Sequence, residues 1–394
     1  MPRKTTLIIG GGAAGMVASI SKARRGEPVM ILEKTAQLGK KILASGNGRC
    51  NLLNEALDSS SYNPEARPLV NSVFSRFGRD DILNFFSELG LHYYSQDGRI
   101  FPFTNQAASV QKVLELEIKR LGVQVEYGFD CVSIQKTQTG FSLGAADGKQ
   151  QTGHSLILTG GGSTYPSFGS DGSGYKLASS LGHRIIKPVP STVPLVVKDP
   201  LCHLLQGQRI IARAQSRIQG KIGNPVDGEL LFTKYGLSGS LILDISQEIS
   251  LAINRLNIKD VSLETDLIPF MEQKQLETEL TNRHKMGLTP EDMLTGILPG
   301  KLCLAFKQLF EKENPSKAAV KLKNWRFEVS GTRGWNEAEF TAGGIDTKEV
   351  DPQTLESKLV KGLYLAGEVL DVNGKRGGYN LGFAWASGYV AGLS

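Results

Sequence analysis

One hexapeptide constrains this chain more than anything else in it: Gly10-Gly11-Gly12-Ala13-Ala14-Gly15, set between two apolar runs. Thr5 to Ile9 reads as a short buried strand that stops at Gly10. Ala13 to Arg25 reads as a helix, and Val29 to Leu32 as a second strand. A strand, a glycine turn, a helix and a strand within this span open a doubly wound sheet. Gly10, Gly12 and Gly15 occupy the first, third and sixth places of the dinucleotide fingerprint. The first allows a tight turn, the third lets a pyrophosphate touch the backbone, and the sixth lets the helix pack on the strand. Amides at the helix start, Ala14 among them, then face phosphate. Glu33 ends the second run, where a carboxylate can accept hydrogen bonds from a ribose diol, and Lys34 follows it.

The far end of the chain decides between a nicotinamide and a flavin. Gly362 to Ala366 is another apolar run ending in glycine, and it delivers Gly367 and Glu368. Gly377-Gly378-Tyr379-Asn380 comes next, and Leu381 to Leu393 reads as a closing helix rich in small residues. A plain nicotinamide domain needs no such distant element. A flavin does, because its reduced ring carries negative charge that amides at a helix start can stabilise. This places Gly367, Glu368, Gly378, Tyr379, Asn380 and Leu381 beside the ring. Lys40 and Lys41 can meet phosphates. The loop Ser45-Gly46-Asn47-Gly48-Arg49-Cys50-Asn51 can approach a planar ring from its edge, so Ser45, Gly46, Arg49, Cys50 and Asn51 join the candidates. Thr159-Gly160-Gly161 ends a further strand, Ser155 to Leu158, and completes the set. Tyr165 takes the sixth place there, so this is no second dinucleotide fingerprint, and NAD(P)H would visit the flavin only briefly.

Between the two ends the texture changes. From Pro68 to Leu121 the pattern gives two amphipathic helices around a Tyr94–Phe103 hairpin, then short strands at Val123–Tyr127, Cys131–Lys136 and Phe141–Gly144. Prolines 188, 190 and 194 precede alternating strands at Leu195–Val197 and Arg209–Gln219. Met271 to Lys323 turns helical, and Trp325–Val329 returns to strand. At 394 residues the chain suits two or three domains.

These segments resemble the BaiN/RdsA family of NAD(P)/FAD-dependent oxidoreductases, also labelled aminoacetone-oxidase-like flavoproteins. The resemblance rests on GGGAAGMVASI, EKTAQLGKKILASGNGRCN, TGGGSTYPSFGSDGSGYKLASSLGH, LLFTKYGLSG, TAGGIDTKEVDPQTLESKLVKGLYLAGEVLD and GGYNLGFAWASG, which span Gly10 to Gly388. It implies FAD as cofactor on a Rossmann-like, fumarate-reductase-type α/β domain split in sequence into 1–185 and 327–394. An inserted β-barrel would occupy 186–270 and a small helical domain 271–326. The chemistry implied is hydride transfer through flavin N5. One branch of the family is associated with dihydrouridine in large-subunit ribosomal RNA, others with small molecules such as an aminoketone or bile-acid intermediates. Cys50, inside the flavin loop, stands first as the proton donor and Tyr379 second. Lys375-Arg376-Gly377 and Gly382 depart from the family pattern near the flavin, and the departures bear on the substrate more than on the cofactor.

The net charge of +6 points the same way as an RNA substrate. Lys307, Lys312, Lys317, Lys321 and Lys323 would supply a basic face on the insertion. The five histidines form no spaced cluster and read as structural or exposed. Four cysteines without a CxxC pair signal neither zinc nor a disulfide framework and fit a reducing cytoplasm. The basic start, Met1 to Lys4, runs into too short an apolar stretch for a signal peptide, and no run reaches membrane-span length.

Overall fold

The first apolar run becomes the central strand of a five-stranded parallel sheet. In spatial order the strands are Leu363–Leu365, Ser155–Leu158, Thr6–Ile9, Val29–Glu33 and Gln124–Tyr127. Thr6 stands opposite Ser155 on one side and Val29 on the other. Leu7 and Ile8 have no exposed surface, as expected of a parallel strand covered on both faces. The computed structural model describes residues 5–394, so the basic start Met1–Lys4 lies outside the described residues.

The chain divides into two compact units, residues 1–188 with 340–394 and residues 189–339. In the first, helix Ala13–Arg24 connects the first two strands and lies against the closing helix, Tyr379–Leu393. Strands from both chain ends therefore share one sheet, and one apolar core runs through them. The stretch from Pro68 to Leu121 holds three helices instead of two: Arg67–Arg76, Arg79–Glu88 and Ala107–Arg120. The extra break falls at Phe77-Gly78, where Asp81 accepts a hydrogen bond from the Gly78 amide at 2.8 Å and starts a new helix. Phe77 stacks on Tyr389 at 3.8 Å and Phe86 meets Trp385 edge-on at 5.2 Å, so these helices cover the closing one.

In the second unit, strands Leu195–Val197, Arg209–Ile218, Val226–Thr233, Gly236–Ser238, Val261–Asp266 and Trp325–Thr332 pair antiparallel around a closed ring. The closure is the pairing of Arg213–Ile218 with Val261–Asp266. A barrel of this kind has no free edge. Helix Ser240–Ser250, which the strand-like pattern did not announce, buries Leu241, Ile242, Ile245 and Ile249 in the same core. Four helices between Gln273 and Lys323 complete the unit.

Candidate flavin-binding site

The glycine turn is held by packing that leaves no room for side chains, except on one side. Gly10 has φ +95°, and Thr159 clamps the turn by donating from its hydroxyl to the carbonyls of Ile9 and Gly10, both at 2.8 Å. A Cβ on Gly15 would stand 1.9 Å from the Gly10 carbonyl oxygen. A Cβ on Gly12, by contrast, would meet nothing within 4 Å. Gly12 also starts the first helix without a capping side chain, so the amides of that helix start have no side-chain acceptor. Glu33 is buried at the end of its strand and accepts from the amides of Gly11 and Thr35, each at 2.7 Å, which fixes the carboxylate beside the turn.

The second helix start is built from the other chain end. Gly378, at φ +98°, precedes Tyr379–Leu393, again without a capping side chain. Its backbone lies against Leu53: a Cβ there would come within 2.5 Å of the Leu53 carbonyl carbon. Trp385 donates its indole N–H to the Leu52 carbonyl at 3.0 Å, and Tyr62 donates its hydroxyl to the Tyr379 carbonyl at 2.7 Å. The early Leu52–Leu53 segment and Tyr62 thus hold the late helix. No sequence signal pointed to Tyr62. Burial, first, and then neighbouring Tyr379 and Asp58 hold its hydroxyl well above the ordinary tyrosine range, so it stays a donor.

Lys41, Thr164, Thr341 and Glu368 form a polar seam. Lys41 donates to Thr164 Oγ1 at 2.5 Å and to Glu368 at 2.7 Å, and Glu368 also accepts from the Thr341 amide at 2.8 Å. Lys41 and Glu368 therefore meet each other, a contact their positions in the sequence did not suggest. Thr341 and Thr164, which lie in the family segments but were not singled out, complete the seam. Lys40 donates to the Ser167 carbonyl and lies over the Phe168 ring. Lys34 sits between Asp171, at 2.6 Å, and Asp130, at 3.3 Å. Burial lowers the Lys34 ammonium, but these two carboxylates outweigh it and raise its pKa. Gly160 packs backbone to backbone against Gly174, and Gly161 turns the chain toward Ser170.

The residues and their spacing match the HI0933-like protein Rossmann domain over residues 4–394. The chain belongs to this family of Rossmann flavoproteins. Two named relatives cover it almost end to end. A 3-dehydro-bile acid delta(4,6)-reductase of Clostridium scindens is 39% identical over 400 residues, 98% of this chain and 97% of the relative. A ribosomal RNA dihydrouridine synthase of Escherichia coli is 31% identical over 401 residues, 99% and 97% of the two chains. Among solved structures, a 3-ketosteroid delta1-dehydrogenase from Sterolibacterium denitrificans superposes with TM-score 0.53 at 13% identity, covering 99% of both chains. That likeness establishes the Rossmann-like fold.

This HI0933-like protein is an FAD-dependent oxidoreductase, and its residues fit that cofactor. Open space at Gly12 admits a pyrophosphate, and two helix starts offer amides to anionic groups. Asn51 Oδ1 is buried and has no hydrogen-bond partner among the described residues, an acceptor suited to an N–H on a ring edge. Asn51 follows a loop in which Gly46 and Asn47 are both left-handed, and a Cβ on Gly46 would meet the Asn51 amide at 2.6 Å. Ser45 donates to the Ile42 carbonyl at the kink of that loop.

Cys50 is wholly buried by protein atoms alone, and burial pushes its thiol up to about 12 against a lowering hydrogen bond with Ser45. Tyr379, the other expected proton donor, is half-buried at the first position of the closing helix. Asn380 spends its side chain on the preceding turn: it accepts from the Gly374 amide and donates to the Gly374 and Lys375 carbonyls. Its side chain therefore shapes the turn, and its backbone amide is what remains for the ring. Lastly, four of the five lysines expected to form a basic face on the insertion stand in ion pairs, and two of them share one carboxylate. Lys307 pairs with Glu291, Lys317 and Lys321 with Glu313, and Lys323 with Asp266. All four cysteines are buried as free thiols. His183 is buried between Glu349 and Ser357, both at 2.9 Å. Among the described residues no helix is long and apolar enough to cross a membrane.

Proposed function

We infer that this flavoprotein reduces uridine to dihydrouridine in large-subunit ribosomal RNA, drawing its electrons from NAD(P)H. One observation carries the reading: the residues around the start of the closing helix are cationic and polar. Arg49 and Lys375 are exposed, and the Asn54 side chain and Arg99 flank the Gly377 backbone. Such a rim suits a polyanion carrying a flat, hydrogen-bonding base. Four thiols kept free suit a reducing cytoplasm.

When bound and reduced, FAD supplies hydride chemistry at its N5. The uracil C5=C6 bond accepts that hydride at C6 and a proton at C5. NAD(P)H is oxidised in the cycle, and water returns the proton to the donor. Tyr379 supplies the proton from its hydroxyl, held in place by the hydrogen bond from Tyr62 to its carbonyl and by the closing helix. The amides of Tyr379, Asn380 and Leu381 stabilise negative charge at the same end. Asn380 keeps the Gly374–Lys375 turn in register beside them.

The second reading is reduction of a conjugated ketone in a small, steroid-like molecule. The 39% identity to the bile acid reductase favours it. The two readings separate in one pair of measurements. Large-subunit ribosomal RNA from cells with and without the gene is mapped for dihydrouridine, and the purified protein is assayed with NAD(P)H and a 3-keto bile acid enone. We expect one dihydrouridine to vanish with the gene. An unchanged map together with enone turnover would hand the site to the small molecule.

A further inference from the structure

Beside the cofactor turn lies a surface that the hydride chemistry does not use. Leu53–Asn54, Arg99–Pro102 and Tyr93–Gln96 form a three-stranded antiparallel sheet. Alternation sends Ile100 and Pro102 to one face and Arg99 and Phe101 to the other, with Tyr94 directly opposite Phe101. On that outer face Arg49 lies over the Phe101 ring at 4.5 Å. Tyr94 touches Phe101 at 6.1 Å and Phe103 at 5.4 Å between centroids, and its hydroxyl donates to Asn105. Phe103 is 64% exposed.

A single exposed phenylalanine is ordinary. A row of three rings ending in solvent, with two arginines that have no carboxylate partner among the described residues, is not. Glu55 and Asp97, the acids of this sheet, lie at the hairpin's turn end, away from Phe103. The surface is also joined to the active site. Asn54 Nδ2 donates to the Gly377 carbonyl at 2.8 Å, and Leu53 backs Gly378 at the start of the closing helix.

We propose that Tyr94, Phe103 and Arg49 form a stacking platform for an unpaired RNA base next to the target uridine, with Arg99 meeting the adjoining phosphate. This rests on the uridine-reductase reading. Aromatic rings and guanidinium planes bind single-stranded bases through their faces, whatever the sequence. A steroid on Phe103 would leave its second face in water and gain nothing from the arginines. An RNA strand continues in both directions and brings phosphates to Arg49 and Arg99.

The test uses the full-length, flavin-loaded protein and a fluorescein-labelled oligouridylate, followed by anisotropy at low salt. Phe103→Ala should weaken binding about 10-fold or more, and Phe103→Trp should restore it. Flavin absorbance and melting temperature should be those of the parent, since Phe103 stands in solvent. Parent binding with no loss in Phe103→Ala would overturn the platform and leave the uridine reading standing. A parent protein indifferent to the oligonucleotide would remove both. Loss of 3-keto bile acid turnover in Phe103→Ala, with RNA affinity intact, would assign the platform to the small molecule.

Discussion

A Cβ on Gly388 would stand 2.3 Å from the carbonyl oxygen of Ala14, so the closing helix touches the first helix backbone to backbone. Gly392 repeats the contact one turn later, 2.5 Å from the Ala18 carbonyl oxygen. This seam fixes the first and the closing helix relative to each other.

Gly388→Ala therefore forces the helices apart. Its gain in helix propensity, about 1 kcal/mol, is outweighed by overpacking of about 1–3 kcal/mol. We expect a melting temperature lower by a few degrees and a lower flavin-to-protein absorbance ratio. Gly12→Ala is the contrast, because its Cβ meets no protein atom and its φ of −77° is ordinary. The apoprotein should melt as the parent does, while FAD binding weakens. If Gly12→Ala lost stability without losing FAD affinity, the open space there would not be a phosphate cradle.

Much of this arrangement was legible in the sequence, for a definite reason. Gly10, Gly15, Gly378 and Gly388 are each required by a backbone conformation or a close approach, and the strands before them are apolar on both faces. Such requirements leave a local trace. The ion pair of Lys41 with Glu368 and the hydroxyl of Tyr62 on the Tyr379 carbonyl left none, because each joins residues remote in sequence through one side chain. The enclosure of Cys50 left none either. Its place in the glycine loop was visible, but the direction of its thiol, set by φ +60° at that residue, was not. The lysines of the insertion showed as charge, and the acids Glu291, Glu313 and Asp266 that pair with four of them come together only in the fold.

The buried thiols give the protein a pH signature. Burial raises Cys50 to about 12, Cys131 to about 11 and Cys202 to about 12, from about 9 in an unfolded chain. Each folded thiol holds its proton where the unfolded one has lost it, so the folded state binds more protons above pH 9. The stabilisation is complete below pH 9 and is lost as pH rises from 9 toward 12. Cys50 alone contributes a slope of about 1.4 kcal/mol per pH unit in that window. Thermal melts from pH 8 to pH 11 should fall steeply above 9, and Cys50→Ala should flatten the fall. The same burial predicts that Ellman's reagent finds no thiol at neutral pH until denaturant is added. Rapid labelling of the native protein would contradict the enclosure of Cys50.

The proposed mechanism takes Tyr379 as its proton donor, and the Tyr379 hydroxyl can be removed without touching the helix start. The Tyr62 bond goes to its backbone carbonyl, so Tyr379→Phe keeps that bond, the ring and the helix amides. We expect flavin content and reduction by NAD(P)H to match the parent. Turnover of the uridine substrate should drop about 100-fold or more, in kcat and not in KM. Stopped-flow would separate the two half-reactions: flavin reduction unchanged, substrate-dependent flavin reoxidation slowed. Cys50→Ser should leave both half-reactions near the parent rates. If instead Cys50→Ser abolished reoxidation and Tyr379→Phe did not, the thiol would have to leave its enclosure during turnover, and the loop from Ser45 to Asn51 would be a moving part.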